Sequence, residues 1–279
     1  MNWSTSLRRE IINYARHYAE RMGIPFYLSL ARKFPTVMFT SYNGDAQHGN
    51  FLTPGYQAIL AHPPWKIRLQ KRHPRRTALP PERHSQAKEL DSCNSSDALL
   101  MNVFCYPRIE RCRPLARLFN QSVLPAAEFG FHARNPFADG TTDRTEVDMR
   151  LGGTLVEAKL TESDFTSKPK THVRTYRDFE AVFDAAVLPQ SEKRFFNYQL
   201  IRNTLAAFAH NAAFMLVCDG RRPDLLRSWW NVMRAIKLPE VRSRCGFVLW
   251  QEIADVVPDE VHEFLVEKYG IVGAGEDVM

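Results

Sequence analysis

The sequence has few cysteines, and none of them form a Cys-x-x-Cys pair. The five are scattered and odd in number: Cys93, Cys105, Cys112, Cys218 and Cys245. This pattern indicates neither a disulfide framework nor a zinc ribbon, and it has no local spacing typical of an iron–sulfur cluster. We therefore expect reduced thiols and no metal bound to cysteine.

Long apolar runs are also missing. No stretch approaches the roughly 18 consecutive apolar residues that a membrane-spanning helix needs. The chain starts MNWSTSLRREIINYARHY, which places Arg8, Arg9 and Glu10 where a signal peptide would be apolar. We therefore expect a cytoplasmic protein with no membrane partner.

Disorder is excluded by composition, because 44% of the 279 residues are hydrophobic and 24% are charged. Glycine is scarcer than proline, 13 against 17, which favours defined loops over flexible linkers. The length permits one large domain with an addition. We predict an N-terminal helical and basic extension over residues 1–94 and a catalytic domain over residues 95–279.

Positive charge is concentrated in one segment, residues 62–88. It carries eight basic residues against the single acid Glu82, and five prolines. The basic residues are Lys66, Arg68, Lys71, Arg72, Arg75, Arg76, Arg83 and Lys88. This composition predicts an extended basic loop whose cations are not neutralised locally, and a polyphosphate chain is its natural partner. A solvated loop without a ligand remains open.

Period-two hydrophobicity marks three successive segments as strands: AEFGFHARNPF, RTEVDMRL and GTLVEAKL. Two further apolar runs, AAFMLV and CGFVLW, are typical of buried strands. Helices are predicted up to Arg21, from Ser95 or Ser96 to before Pro107, after Pro114, over Ser191–His210 and after Pro223. Strands with helices on both sides predict a layered α/β fold.

The segment RTEVDMRL-GG-TLVEAKL has the pattern of a hairpin closed by Gly152 and Gly153. If Leu151 pairs with Thr154, Asp148 lies opposite Glu157 and Glu146 lies opposite Lys159. Alternation then places these four polar side chains on one face, and Val147, Met149, Val156 and Ala158 on the other. Two opposed carboxylates repel each other unless a cation or a shared proton intervenes.

A divalent cation would relieve this repulsion. Mg²⁺ typically binds through one or two carboxylates together with water and phosphate, which Asp148 and Glu157 could supply. Lys159 lies on the same face and could place an ammonium beside the scissile phosphate. A solvated hairpin face with a Glu146–Lys159 ion pair is the other interpretation.

These residues resemble the signature of the PD-(D/E)XK nucleases: Asp148, a short turn, then Glu157-Ala158-Lys159. Val147 stands where the motif has its proline. SSDALLMNVF is similar to the early helix of a bacterial restriction-endonuclease-like subfamily. The resemblance covers approximately residues 95–250. It implies a restriction-endonuclease-like mixed β-sheet core flanked by helices, following the N-terminal helical and basic-loop extension.

The resemblance also implies roles for individual residues. Asp148 and Glu157 would bind Mg²⁺ or Mn²⁺, with the Ala158 carbonyl as a further ligand, and Lys159 would be the catalytic cation. Upstream, Glu128 corresponds to an additional acid that either binds a metal through water or pairs with a cation. Downstream, Gln199 matches a helix residue that could orient Lys159 or the nucleic-acid backbone.

Arg202 and Asn203 follow Gln199 at helical spacing, so the three project from one side of the predicted helix. Arg202 could bind a phosphate, and a polar helix face without a ligand is the other interpretation. Together with the basic segment, these residues predict a metal-dependent DNA nuclease. A blunt double-strand cut with one site per chain would need two chains, so a homodimer is left open.

Two other functions are compatible with the sequence. A DNA-binding protein of the same fold without catalysis would use the same basic segment and show no Mg²⁺-dependent cleavage. A carboxylate-pair hydrolase, acting for example on sugars, would use Glu128 and Glu157 as acid and base without a metal. The second alternative leaves the basic segment unexplained.

Overall fold

A computed structural model of the chain describes residues 2–29, 35–73, 88–273 and 275. The chain divides into two compact units, one of residues 1–125 and 249–279 and one of residues 126–248. No helix within the described ranges combines the length and the apolarity needed to cross a membrane.

The first unit is mainly helical. Its helices are α1 (Trp3–Met22), α2 (Thr53–Ala61), α3 (Pro63–Arg68), α4 (Ser96–Phe104), α5 (Arg113–Leu118), α11 (Trp250–Ala254) and α12 (Asp259–Tyr269), with 3₁₀ turns at Glu89–Asp91 and Ile109–Arg111. Its strands form two short antiparallel pairs, β1 (Phe26–Ser29) with β2 (Thr36–Phe39) and β3 (Ser41–Tyr42) with β4 (Gln47–His48).

Helix α1 is the amphipathic helix predicted from the sequence. The Asn2 side chain caps it by accepting the Thr5 N–H at 3.1 Å, and Gly23 ends it with a left-handed φ of 63°. The buried stripe runs through Ile11 and Ala15, whereas Tyr14 is 43% exposed.

The C-terminal helix α12 packs against α1, which explains why the first unit contains both ends of the chain. The Tyr18 and Phe264 rings meet edge to face with centroids 5.7 Å apart. Buried Lys268 donates to the backbone and side-chain oxygens of Asn50, both at 2.7 Å. The division into units thus differs from the predicted boundary after residue 94, because long-range contacts of this kind have no local sequence signal.

The predicted extended basic loop is wrong in its first part. Residues 63–68 form helix α3, since Pro63 and Pro64 occupy a first helical turn, where proline is tolerated. Arg72 and Lys88 are then joined by an antiparallel bridge. Arg75, Arg76 and Arg83 lie outside the described residues.

The second unit contains the strands that the sequence pattern predicted. Its elements are β5 (Ala127–His132), β6 (Asn135–Pro136), β7 (Thr142–Asp143), β8 (Glu146–Leu151), β9 (Thr154–Ala158), β10 (Ser167–Pro169), α6 (Lys170–Val173), α7 (Phe179–Val182), β11 (Arg194–Phe196), α8 (Tyr198–Ala209), β12 (Ala213–Cys218), α9 (Pro223–Met233), α10 (Pro239–Arg242) and β13 (Cys245–Leu249). Helix α8 begins seven residues later than predicted, because β11 pairs with β10 first.

Five strands form one mixed sheet in the order β13-β12-β9-β8-β5. Strand β9 runs parallel to β12 and antiparallel to β8, and β8 runs antiparallel to β5. Helices α8 and α9 lie on one face, where Trp229 packs on Phe214 with ring centroids 5.5 Å apart. The predicted restriction-endonuclease-like core, a mixed sheet flanked by helices, is confirmed.

Candidate active site

The β8–β9 hairpin has the predicted register. Leu151 pairs with Thr154 and Met149 pairs with Val156, and the turn between them has a positive φ of 55° at Gly152. The backbone ladder ends at Met149–Val156, one position before the predicted Asp148–Glu157 pair. There the Asp148 carboxylate accepts the Ala158 N–H at 2.9 Å. Asp148 is therefore tied to the strand that carries Glu157.

The predicted Glu146–Lys159 pairing is not part of the ladder. Glu146 pairs with His132 on β5, and the Lys159 N–H donates to the Val217 carbonyl of β12 at 2.8 Å. Beyond Met149 the two hairpin strands thus separate from each other, while β8 stays paired with β5 and β9 with β12. The Lys159 side chain contacts Glu157 instead of Glu146.

Glu157 is the centre of the polar cluster on this face. Its carboxylate is fully buried and accepts hydrogen bonds from Lys159 Nζ, Gln199 Nε2 and Asn203 Nδ2, each at 2.7 Å. Gln199 and Asn203 are four residues apart on α8, so both amides reach the same carboxylate. Together with Lys159 they fix the orientation of Glu157.

The cluster holds an ion pair in its charged form. Burial alone would raise the pKa of Glu157, but Lys159 and, farther away, Arg202 outweigh burial and hold that pKa below its ordinary value. Burial alone would lower the pKa of Lys159, but nearby carboxylates outweigh it and raise that pKa. These carboxylates belong to Glu157, Glu162 and Asp148. At neutral pH a buried ammonium is therefore surrounded by three acids.

Glu162 and Asn203 also belong to this cluster, although the sequence pattern gave neither of them a defined role. Glu162 accepts the Leu160 N–H at 2.7 Å and is one of the acids acting on Lys159. Asn203 binds Glu157 directly. The signal for Asn203 was present, because it follows Gln199 by one helical turn, but the pattern alone could not distinguish a ligand from a polar helix face.

Arg202, which was predicted to bind a phosphate, is buried and contacts other residues of the protein. Its side chain is 6% exposed, and its guanidinium donates to the Asn203 side chain and to the Glu146 carbonyl, both at 2.9 Å. It also lies 3.9 Å from the Glu157 carboxylate. Arg202 thus supports Asn203 and Glu157 from behind the cluster, and this geometry favours a positioning role.

Glu128 lies on β5 opposite Arg150 and forms an ion pair with it at 2.6 Å. The resemblance left two roles open for Glu128, binding a metal through water or pairing with a cation. The geometry corresponds to pairing with a cation. The carboxylate-pair hydrolase needs Glu128 as a partner of Glu157. Glu157, however, is bound by Lys159 and by α8, whereas Glu128 is held by Arg150.

The described part of the basic segment is partly neutralised. Asp97 at the start of α4 accepts from Arg68 and Lys71, both at 2.7 Å, and Lys71 also pairs with Glu89 at 3.0 Å. Arg68 is buried, whereas Lys66 and Arg72 are exposed. The prediction that these cations lack local partners was wrong for Arg68 and Lys71, because Asp97 is brought to them by the fold.

This buried cluster makes the first unit sensitive to acid. Burial would raise the pKa of Asp97, but Lys71 and Arg68 outweigh it and hold the pKa below its ordinary value. A lowered carboxylate pKa stabilises the fold above the unfolded pKa, about 3.8, and that stabilisation is lost as the pH falls through the folded value. We expect Asp97→Asn to cost about 3 kcal/mol at pH 7 and less at pH 3.

Urea unfolding of the two proteins at both pH values measures this difference. The neutral asparagine that replaces Asp97 cannot titrate, so its contribution does not change with pH. A gap between parent and variant that is equally large at pH 3 would show that the charge of Asp97 is not what stabilises the unit.

The residues of the cluster fit a hard divalent cation in donor chemistry. Asp148, Glu157 and the Ala158 carbonyl all offer oxygen, as Mg²⁺ prefers. Three hydrogen bonds occupy the Glu157 carboxylate, leaving one of its roughly four acceptor positions. Among the described residues no group of three or more His, Cys, Asp or Glu is arranged to hold a metal. Water and phosphate would have to complete the coordination.

Comparison with known proteins gives one family. The family model described as Restriction Endonuclease associating with ARP matches residues 28–270, which is most of the chain and spans both units. Searches of curated proteins and of solved structures gave no significant match. The match includes Asp148, Glu157 and Lys159, but it assigns no role to any of them. The chain therefore belongs to the restriction endonuclease family described as Restriction Endonuclease associating with ARP.

Proposed function

We propose that the chain is a metal-dependent DNA nuclease of the PD-(D/E)XK type. Its ligands for Mg²⁺ or Mn²⁺ would be Asp148, Glu157 and the Ala158 carbonyl. The observation that carries this proposal is the buried Glu157–Lys159 ion pair beside Asp148, held by two amides of α8. Membership of a restriction endonuclease family supports DNA as the substrate.

The metal would supply Lewis-acid chemistry, lowering the pKa of water and neutralising phosphate charge. The chain's own residues would do the rest. The Lys159 ammonium would stabilise the negative charge that develops on the phosphate, and its raised pKa keeps it charged for this task. Gln199 and Asn203 would position Glu157, while the low pKa of Glu157 keeps it an acceptor at neutral pH.

DNA contacts are proposed for the basic residues of the first unit. Of those described, Lys66 and Arg72 are exposed. Arg68 and Lys71 are bound to Asp97, which makes them poorer candidates. Contacts with phosphate would add affinity without reading sequence. The family description names association with ARP, and we propose such a partner for this chain too; a homodimer stays a further prediction.

Incubation with plasmid, linear and single-stranded DNA tests the proposed function. We expect cleavage with Mg²⁺ or Mn²⁺ and none after EDTA, because the proposed reaction depends on the metal to lower the pKa of the attacking water. DNA binding without cleavage under any of these conditions would favour the catalytically inactive DNA-binding protein. Activity that persists in EDTA would contradict metal dependence.

A further inference from the structure

The first unit contains a cavity of about 490 Å³ that the proposed nuclease site does not use. Its walls come from β3, β4, α2, α3 and the turn at residues 89–91. The volume is within the range of small-molecule sites, about 300–1,000 Å³. All its lining residues belong to the first unit, so it is a feature of that unit alone.

One wall presents a carboxylate in a defined orientation. The Asn50 N–H donates to Nδ1 of His48 at 3.1 Å, so in the neutral ring the proton is on Nε2. That nitrogen lies 3.2 Å from Asp91 Oδ1, and the Lys88 N–H donates to Asp91 Oδ2 at 3.3 Å. Asp91 is therefore held from two sides while its remaining acceptor positions line the cavity. A ligand beside it must offer N–H or O–H donors.

A second wall is aromatic. Phe51 and Tyr56 lie nearly parallel with ring centroids 5.6 Å apart, and the His48 ring lies 5.3 Å from Phe51. Burial, with Asp45 and Asp91 nearby, raises the pKa of Tyr56, which keeps its hydroxyl a proton donor. A flat ring with polar edges suits a wall of this composition.

Cations lie at the same cavity. Lys66 of α3 and Lys88 both line it. They belong to the basic segment, in which Asp97 binds Arg68 and Lys71. The fold thus buries part of the positive charge of this segment and leaves two lysines beside an aromatic wall and a carboxylate. An anionic group on the ligand would lie between them.

We propose that this cavity binds a single nucleotide, with its phosphate at Lys66 and Lys88 and an amino-bearing base against Asp91 and the aromatic wall. The nucleotide could be free in solution or an unstacked nucleotide of DNA, since both present the same groups. The cavity is a binding site separate from the Glu157 cluster. Its occupation requires neither the metal nor the cleavage proposed above.

Calorimetry without divalent metal tests the proposal in two arms. One arm titrates dGMP, dAMP, dCMP and TMP, and the other compares a fully paired duplex with a duplex containing one unpaired guanosine or adenosine nucleotide. We expect the amino-bearing nucleotides to bind more tightly than TMP. If DNA is the source, the duplex with the unpaired base binds more tightly than the paired one. Binding in the first arm alone assigns the site to free nucleotides.

Two variants and one control make the result specific. Lys66 is exposed on α3, so Lys66→Ala should leave the fold intact and weaken nucleotide binding about tenfold or more. Asp91→Asn should remove the preference for amino-bearing bases over TMP. Arg111→Ala removes the same charge from a side chain of the first unit that is 75% exposed and outside the cavity, and should change affinity by less than about twofold.

The proposal is overturned if no nucleotide binds in either arm, or if Lys66→Ala and Arg111→Ala weaken binding equally. Because no step of the test measures cleavage, its failure is separate from failure of the proposed nuclease activity. Circular dichroism of each variant establishes that it is folded.

Discussion

Replacing Asp148 with asparagine is expected to reduce Mg²⁺-dependent DNA cleavage by about a hundred- to a thousandfold while leaving the protein folded. Asparagine has the size of aspartate and keeps a side-chain oxygen that can accept the Ala158 N–H. It removes the charge that a divalent cation needs. Plasmid nicking measures the activity, and a mobility-shift assay measures DNA binding, which should change little.

Asp184→Asn is a matched control for this variant. Asp184 belongs to the same unit, is exposed, and also accepts a backbone N–H, that of Ala186 at 2.9 Å. The chemical change is therefore the same, but the hydrogen bond that Asp184 accepts is not one of those that hold Glu157. Parent-like cleavage by Asp148→Asn, or equal losses in both variants, would refute the assignment of Asp148 as a metal ligand.

The second large effect is expected on the free energy of unfolding when the buried Glu157–Lys159 ion pair is broken. Lys159→Met leaves the Glu157 carboxylate buried without its ammonium, which should lower the free energy of unfolding by about 3–5 kcal/mol. Glu157→Gln should also destabilise the fold, because an amide group then faces the donors of Lys159, Gln199 and Asn203. The double variant should cost less than the sum, by about 1–3 kcal/mol.

Urea unfolding of the parent, both single variants and the double variant measures this coupling. The control cycle uses Glu128→Gln and Arg150→Met, an ion pair on the same sheet, whose side chains are 51% and 36% exposed. A pair that is this exposed should show a coupling below about 1 kcal/mol. Equal coupling in the two cycles would mean that burial adds nothing to the Glu157–Lys159 pair.

The same variants separate stability from catalysis. All three substituted proteins lack the ammonium, the charged carboxylate or both, so none should cleave DNA, including the double variant, whose loss of stability is smaller than the sum of the two single losses. Cleavage by the double variant would show that Lys159 acts only as a structural partner of Glu157. Cleavage is measured without urea, at a temperature well below the thermal unfolding midpoint of each protein.

Local patterns predicted the strands and the register of the hairpin. Alternating side chains in RTEVDMRL and TLVEAKL identify two strands, and Gly152 tolerates the positive φ that the turn requires. Helix α4, capped by Ser95, and the helix that follows Cys112 were predictable for the same reason. Each of these features depends on residues that are close in sequence.

Contacts between distant residues were not predictable in the same way. The identity of the partners of Asp97 depends on how α3 approaches α4, since Arg68 lies 29 residues before it. Sequence reasoning counted Arg68 and Lys71 as free cations because their acid lies outside the basic segment. The packing of α12 against α1, which places residues 249–279 in the first unit, likewise depends on contacts between residues far apart in the sequence.

The sequence alone was sufficient to bring Asp148, Glu157 and Lys159 to one hairpin, because strand alternation and a glycine turn act over a few residues. The tertiary structure decided what surrounds them. Gln199 and Asn203 reach Glu157 from 42 and 46 residues away, and they do so only because α8 packs on this face of the sheet. Such packing reflects burial of apolar surface across the whole unit, which no short stretch of sequence contains.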